Sequence, residues 1–252
     1  MVKGKNRKRS GIVFWIAIII LLCVIGFSGY KLGTIIYGYL QGRQVYTSIA
    51  EEAGAAEGAK AEKDDVEVRF DKLLGKYPDV KAWLYLKDTI INYPVAQGKG
   101  NDWYLHHTVD GKWNGAGTLF IDENNSRPFE DFLTIIYGHH MRDGSMFGSL
   151  VKYRDEEYYQ EHKKLRLYTP EQKYDILVIG VCTIPATSEL YKYDFDDDAS
   201  RAEYISWIEQ TTETSCDEHA GTDDRIVMLS TCTYEFDDAR LVVFGKLVPD
   251  QA

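Results

Sequence analysis

Arg225-Ile226-Val227-Met228-Leu229-Ser230-Thr231-Cys232 ends an apolar run on a thiol, and Ala239-Arg240-Leu241-Val242-Val243-Phe244 begins the next run a short connection later. The β-branched and aliphatic residues of the first run read as a buried strand. So brief a connection makes the second run its antiparallel neighbour, which sets Arg240 across from Cys232 at one end of a sheet. Taken singly, each has an ordinary explanation: Cys232 as a buried thiol, Arg240 as an ion-pair partner of Glu235, Asp237 or Asp238. A third element shifts the balance. Leu133-Thr134-Ile135-Ile136-Tyr137 is another strand-like run, closed by Gly138-His139-His140. Glycine permits a sharp exit, and alternation in an extended segment keeps His139 and His140 from facing the same thiol. Thiol, imidazole and guanidinium together supply a nucleophile, a proton carrier and an anion stabiliser for acyl transfer.

The rest of the chain fits a scaffold for that trio. Ala82–Leu86, Ile90–Val95, Gly117–Ile121, Leu165–Tyr168, Tyr174–Cys182 and Leu241–Val248 read as further strands, punctuated by Gly98-Lys99-Gly100, Asn124-Asn125 and Asp237-Asp238. About eight short strands point to a closed barrel, so the expected fold is mainly β with peripheral helices. Helical spacing recurs at Val66–Leu74, Phe147–Tyr153, Glu156–His162 and Ala202–Thr212. Ala50–Lys63, rich in alanine, glycine, glutamate and lysine, reads as an exposed linker or weak helix.

Gly11 to Tyr30 carry no charge, a length that as a helix spans about 30 Å, the thickness of a bilayer's hydrocarbon core. Lys3, Lys5, Arg7, Lys8 and Arg9 precede it without an acid, which sets the N-terminus in the cytoplasm and the remainder outside. A cleaved signal peptide is the competing reading, disfavoured by the length of the apolar run and the lack of a small-x-small site. The expected division is a basic cytoplasmic segment (1–10), a transmembrane anchor (11–30), an extracellular linker or helical stalk (31–65) and a catalytic domain (66–252). The whole chain carries a formal −10, and the portion beyond the basic N-terminus is more acidic still, which argues against nucleic acid as a partner. Of the four cysteines, Cys23 lies in the apolar segment, leaving Cys182, Cys216 and Cys232. No Cys/His spacing suggests zinc. The odd number implies at least one free thiol, with Cys182–Cys216 pairing open.

On these motifs the chain resembles the sortases, cysteine transpeptidases that join surface proteins to the Gram-positive cell wall. Their signature is TLxTC on one strand, arginine on the next, and a histidine after glycine on an earlier one. Leu229-Ser230-Thr231-Cys232, Arg240 and Gly138-His139 supply it here, with Met228 in place of the first threonine. Tyr137-Gly138-His139-His140-Met141, Asp143-Gly144-Ser145-Met146-Phe147, Ile91-Asn92-Tyr93-Pro94-Val95 and Ala116-Gly117-Thr118-Leu119-Phe120-Ile121-Asp122 are similar to class B in particular. So are the helix before the barrel and the helical stretch at Ala202–Thr212.

The resemblance implies a closed eight-stranded sortase barrel with an N-terminal helix packed on it, preceded by a single transmembrane helix. It implies catalytic roles for His139, Cys232 and Arg240, substrate contacts from Ser230 and Thr231, and no metal or organic cofactor. The implied partners are secreted proteins bearing a C-terminal sorting signal of NPxTN or xPxTG type, and an amine of a peptidoglycan precursor, either lipid II or a cross-bridge. A pilus-assembly sortase, a hydrolytic cysteine protease and a non-catalytic anchored binding domain are the alternatives. His106 and His107, and the acidic run Asp194, Asp196, Asp197 and Asp198, are read as surface residues rather than metal ligands, since the run matches no calcium-loop spacing.

Overall fold

Alternation along one strand sorts the molecule into two cores. In β7 (Arg225–Cys232), Val227 and Leu229 join the interior cluster, whereas Ile226 and Met228 join a second cluster on the outer face. The same holds for β8 (Ala239–Pro249): Leu241 and Val243 point in, Val242 and Phe244 out. Both faces are covered, so the strand reads as a continuous apolar run rather than an alternating one.

The computed structural model describes residues 6–55 and 65–250. The start of the basic segment (1–5) and most of the linker expected over Ala50–Lys63 (56–64) lie outside the described residues. The remaining strands are β1 (Val80–Tyr85), β2 (Asn92–Ala96), β3 (Leu119–Ile121), β4 (Leu133–Tyr137), β5 (Lys164–Tyr168) and β6 (Lys173–Pro185). The eight close into a barrel in the order β1-β2-β3-β4-β7-β8-β6-β5. All eight expected strands are present. β2–β3 and β4–β7 are the parallel pairs; the others run antiparallel. The parallel pairing of β4 with β7 brings both strand ends, and the motifs just beyond them, to one rim of the barrel.

Helices decorate this frame: α1 (Asn6–Ala53), α2 (Phe70–Lys76), α3 (Asn101–His106), α4 (Glu156–Glu161) and α5 (Asp198–Thr211), with a 3-10 turn at Gly148–Arg154. Six-residue α3 shows no helical periodicity in sequence, being shorter than two turns. α5 lays Tyr204, Ile205 and Ile208 over the outer-face cluster. Each such burial is worth up to about 1.5–3 kcal/mol. Asp197 starts α5 by accepting the Ser200 N–H at 2.8 Å, a capping box that accounts for one member of the acidic run. Met228 is fully buried beneath this layer, where a methionine's apolar bulk is welcome.

α1 is one unbroken helix with two environments. Its first part exposes large apolar residues from Ile12 to Leu40, and it is long and apolar enough to cross a membrane. Its last turns bury Tyr46, Ile49, Ala50 and Ala53 in the interior cluster. Within the stretch expected as a stalk, then, the helix runs on and its end docks against the barrel.

Candidate active site

Cys232 is the last residue of β7 and pairs with Arg240 across the β7–β8 ladder. Paired residues share a face, so both side chains continue the outward row of Met228, Ser230, Val242 and Phe244. β4 reaches the same rim in parallel register, Tyr137 beside Ser230, and the Gly138 N–H donates to the Ser230 carbonyl at 3.1 Å. Two residues on along both strands come His139 and Cys232. Three motifs separated in sequence thus converge at one edge because of two strand pairings.

The ring of His139 is oriented by main chain. Its Nε2 lies 2.7 Å from the Leu105 carbonyl, which only accepts, so Nε2 carries a hydrogen and Nδ1 is left to gain or lose the second proton. His140 turns the other way, as an extended segment requires, yet stays in the site: its Nδ1–H donates to the Cys232 carbonyl at 2.7 Å, and its ring lies 5.5 Å from that of Tyr234. Alternation alone separates the two histidines and gives His140 no task; in the fold it holds the Cys232 backbone.

Arg240 is half-buried and its Nη1 donates to the Ala239 carbonyl at 3.1 Å. Among the described residues no ion pair joins it to Glu235, Asp237 or Asp238, so the salt-bridge explanation offered by the sequence does not hold. Glu235 is instead engaged by Arg154, whose Nη2 also donates to Thr183 at 2.7 Å, and it accepts from the Thr233 hydroxyl. This clamp fixes the loop after Cys232. The Arg154 hydrogen bond, aided by that of Thr233, draws the Glu235 carboxyl down to about 2 from 4.5.

That shift makes stability depend on pH. A carboxyl depressed in the folded state stabilises fully above its unfolded value and loses the contribution as pH falls from 4.5 toward about 2. Glu235→Gln is therefore expected to lower the thermal midpoint modestly at neutral pH, since the partly exposed pair is screened. The difference from wild type should shrink through that acid window, which calorimetry across pH checks. A difference independent of pH would mean that Arg154 does not act on an ionised Glu235.

Ser230 and Thr231, expected to touch substrate, are both buried. Ser230 meets the Tyr191 hydroxyl at 2.7 Å, and Thr231, next to inward-facing Leu229, has a hydroxyl without a hydrogen-bond partner. Tyr191 stacks on Tyr137, and Tyr193 donates to buried Asp122 at 3.0 Å, so the β6–α5 connection walls the rim beside the cysteine. Burial pushes the Tyr191 phenol up to about 12. These tyrosines carried no individual signal in the sequence. His106 and His107 stack on Trp113 and Trp103. Cys182 and Cys216 are free thiols whose burial raises them to about 12 and about 11, which leaves little thiolate on either near neutrality.

Residues 84–248 match the family model of the Sortase domain. The chain belongs to the sortase family. Sortase B of Listeria monocytogenes is 32% identical over 235 residues, covering 91% of this chain and 94% of that protein. The Staphylococcus aureus sortase B–substrate complex superposes with a TM-score of 0.74 at 27% identity, covering 84% of this sortase and 98% of that chain. Sortase B from B. anthracis in complex with AAEK1 gives 0.73 at 33%, covering 85% and 100%. The class B resemblance and the closed sortase barrel both stand, and the enzyme is a sortase B-type cysteine transpeptidase.

Proposed function

We propose that this sortase is a single-pass membrane protein, with its catalytic domain outside a Gram-positive cell, that cuts a C-terminal sorting signal after threonine and passes the acyl group to an amine of a peptidoglycan precursor. The observation that carries the reading is the shared rim: Cys232 and Arg240 on one face of adjacent strands, with His139 delivered to it by the parallel β4–β7 pair. In this scheme the Cys232 thiolate adds to the carbonyl carbon of the scissile amide. Arg240 holds the oxyanion as it develops. The C–N bond then breaks, and His139 gives the departing amine its proton from Nδ1, leaving a thioester. The incoming amine attacks that thioester, His139 takes back a proton, and the thiolate leaves as the new amide forms. Ser230 would act on substrate through the Tyr191 hydroxyl it holds. The apolar, exposed first part of α1 supports the anchor, and the basic residues before it support the orientation.

The test incubates the full chain in detergent micelles with peptides ending in NPxTN, NPxTG, SPxTG and LPxTG-type signals, with and without a glycine-type or diaminopimelate-type amine. Intact-mass spectrometry is expected to show an acyl adduct that Cys232→Ala does not form and that the amine converts to ligated peptide. Hydrolysis with no ligated product would favour a protease, and no adduct with any peptide would favour a binding domain.

A further inference from the structure

The end of α1 reaches the framework of the candidate site by three routes. Arg43 donates from Nε and Nη2 to Asp143 Oδ2 at 3.1 and 3.0 Å. The other oxygen of Asp143 accepts from the Ser145 N–H at 3.1 Å and its hydroxyl at 2.6 Å, closing the turn just after His139 and His140. Burial works against this carboxylate, but the Ser145 hydrogen bonds and the Arg43 charge hold its pKa below the usual range.

The second route runs through buried Tyr46, whose hydroxyl donates to the Gly117 carbonyl and lies 3.0 Å from Thr118 Oγ1. Thr118 in turn donates its N–H to the Tyr104 carbonyl at 2.9 Å and its hydroxyl to the His107 carbonyl at 2.8 Å, clasping both sides of Leu105. Leu105 presents the carbonyl that orients His139. In the third route the Tyr46 ring packs edge-on against Tyr93 at 5.4 Å, and the Tyr93 hydroxyl accepts the Met146 N–H at 3.3 Å. Met146 is bridged to His140. Gly42 lets the helix come this close, since a Cβ there would sit 3.3 Å from Asn114 Oδ1. Among the described residues, the hydrogen bonds that α1 makes to the barrel between Gly38 and Tyr46 go to the two segments that flank His139, with Asn114 donating to the Gly38 carbonyl.

We propose that α1 is a positioning element of the active site: Arg43 and Tyr46 hold, from one helix, the turn just after His139 and His140 and the segment whose Leu105 carbonyl orients the His139 ring. The orientation of the proton carrier is thereby set by the same helix that carries the candidate membrane span. A simple fastening role would need only the apolar contacts of Ile49, Ala50 and Ala53. An exposed pair such as Arg43–Asp143 adds little to stability, so what it fixes is geometry. The proposal rests on the reading of His139 as proton carrier.

Arg43→Ala, Arg43→Lys, Tyr46→Phe and the Arg43→Ala/Tyr46→Phe double variant test it in the full chain in micelles, with Ile49→Ala as a packing control. Three quantities are read: kcat and KM for ligation of an accepted peptide, the pH profile of Cys232 alkylation by iodoacetamide mapped by peptide mass, and the thermal midpoint. Arg43→Ala is expected to lose roughly threefold to tenfold in kcat, and the double variant more than about thirtyfold, with KM within about twofold, as a misplaced catalytic group costs rate rather than binding. Alkylation near neutrality should fall relative to that at alkaline pH, because a displaced imidazole supports less thiolate. Arg43→Lys should recover much of the loss, and Ile49→Ala should lower the thermal midpoint while leaving kcat unchanged well below it. Wild-type kcat and alkylation in Arg43→Ala, or an equal loss in Ile49→Ala, overturns the proposal. If the wild-type chain ligates no peptide, the transpeptidase reading fails and the alkylation profiles alone decide the positioning role.

Discussion

Arg240→Ala is expected to slow peptide transfer by about 10²–10³-fold, the usual loss when a donor to a developing oxyanion is removed. The thermal midpoint should hardly move. Arg240 makes no ion pair among the described residues, and its one hydrogen bond goes to the carbonyl of its own neighbour, Ala239. A half-buried guanidinium kept at the rim without a carboxylate partner is free to meet an incoming anion. Its position opposite Cys232 is enforced by the β7–β8 ladder and not by the side chain, so the alanine variant keeps the thiol in place. Arg240→Lys should recover part of the loss only, because an ammonium retains the charge but not the planar fork. Steady-state ligation and the rate of Cys232 alkylation, measured side by side, separate the two contributions. Wild-type transfer in Arg240→Ala would move oxyanion binding to another group.

Gly117→Ala is expected to damage fold and site together. Gly117 has φ +59, a left-handed conformation, and a Cβ there would lie 2.4 Å from the Tyr104 carbonyl and 2.9 Å from that of Leu105. Both obstacles are backbone, so no side chain can swing aside. Left-handed strain of about 1–2 kcal/mol and overpacking of about 1–3 kcal/mol bring the loss to roughly 2–5 kcal/mol. For a domain of this size that lowers the midpoint by about 5–15 °C. Because the Leu105 carbonyl is the group that orients His139, transfer should also drop at temperatures where the variant is fully folded. Calorimetry together with ligation at low temperature checks both halves, and a midpoint within about 2 °C of wild type would contradict the strain expected at this position.

The barrel was legible because its signals are local. β-branched runs broken by glycine, asparagine and aspartate give eight strands, and the short connection after Cys232 gives the antiparallel pair that faces it with Arg240. The parallel β4–β7 contact, which brings His139 to the rim, joins residues about ninety positions apart and has no sequence mark except the motif itself. Backbone acceptors are equally silent: nothing in Leu105 announces that its carbonyl will hold a histidine. The end of α1 misled for a different reason. Ala50 and Ala53 are small, and with the neighbouring glycine they look like linker composition, yet they are buried because smallness lets a helix approach a barrel closely. Arg43 and Asp143, one hundred residues apart, could not be paired from sequence at all.

An unbroken α1 also fixes a height. From Tyr30, at the end of the uncharged run, to Tyr46, where the helix grips the barrel, the rise is about 24 Å. A flexible tether of equal residue count would have a similar average span but would sample everything from contact with the lipid to full extension. A helix does not stretch, so, given the proposed anchor, the catalytic rim hangs at a nearly constant altitude over the bilayer, altered only by tilt. A substrate still threaded through the same membrane would have to raise its cleavage point to that altitude, which takes about seven extended residues. Under the proposed anchoring the helix would act as a ruler, and the spacing between a sorting signal and the membrane segment behind it would become a part of what this sortase reads.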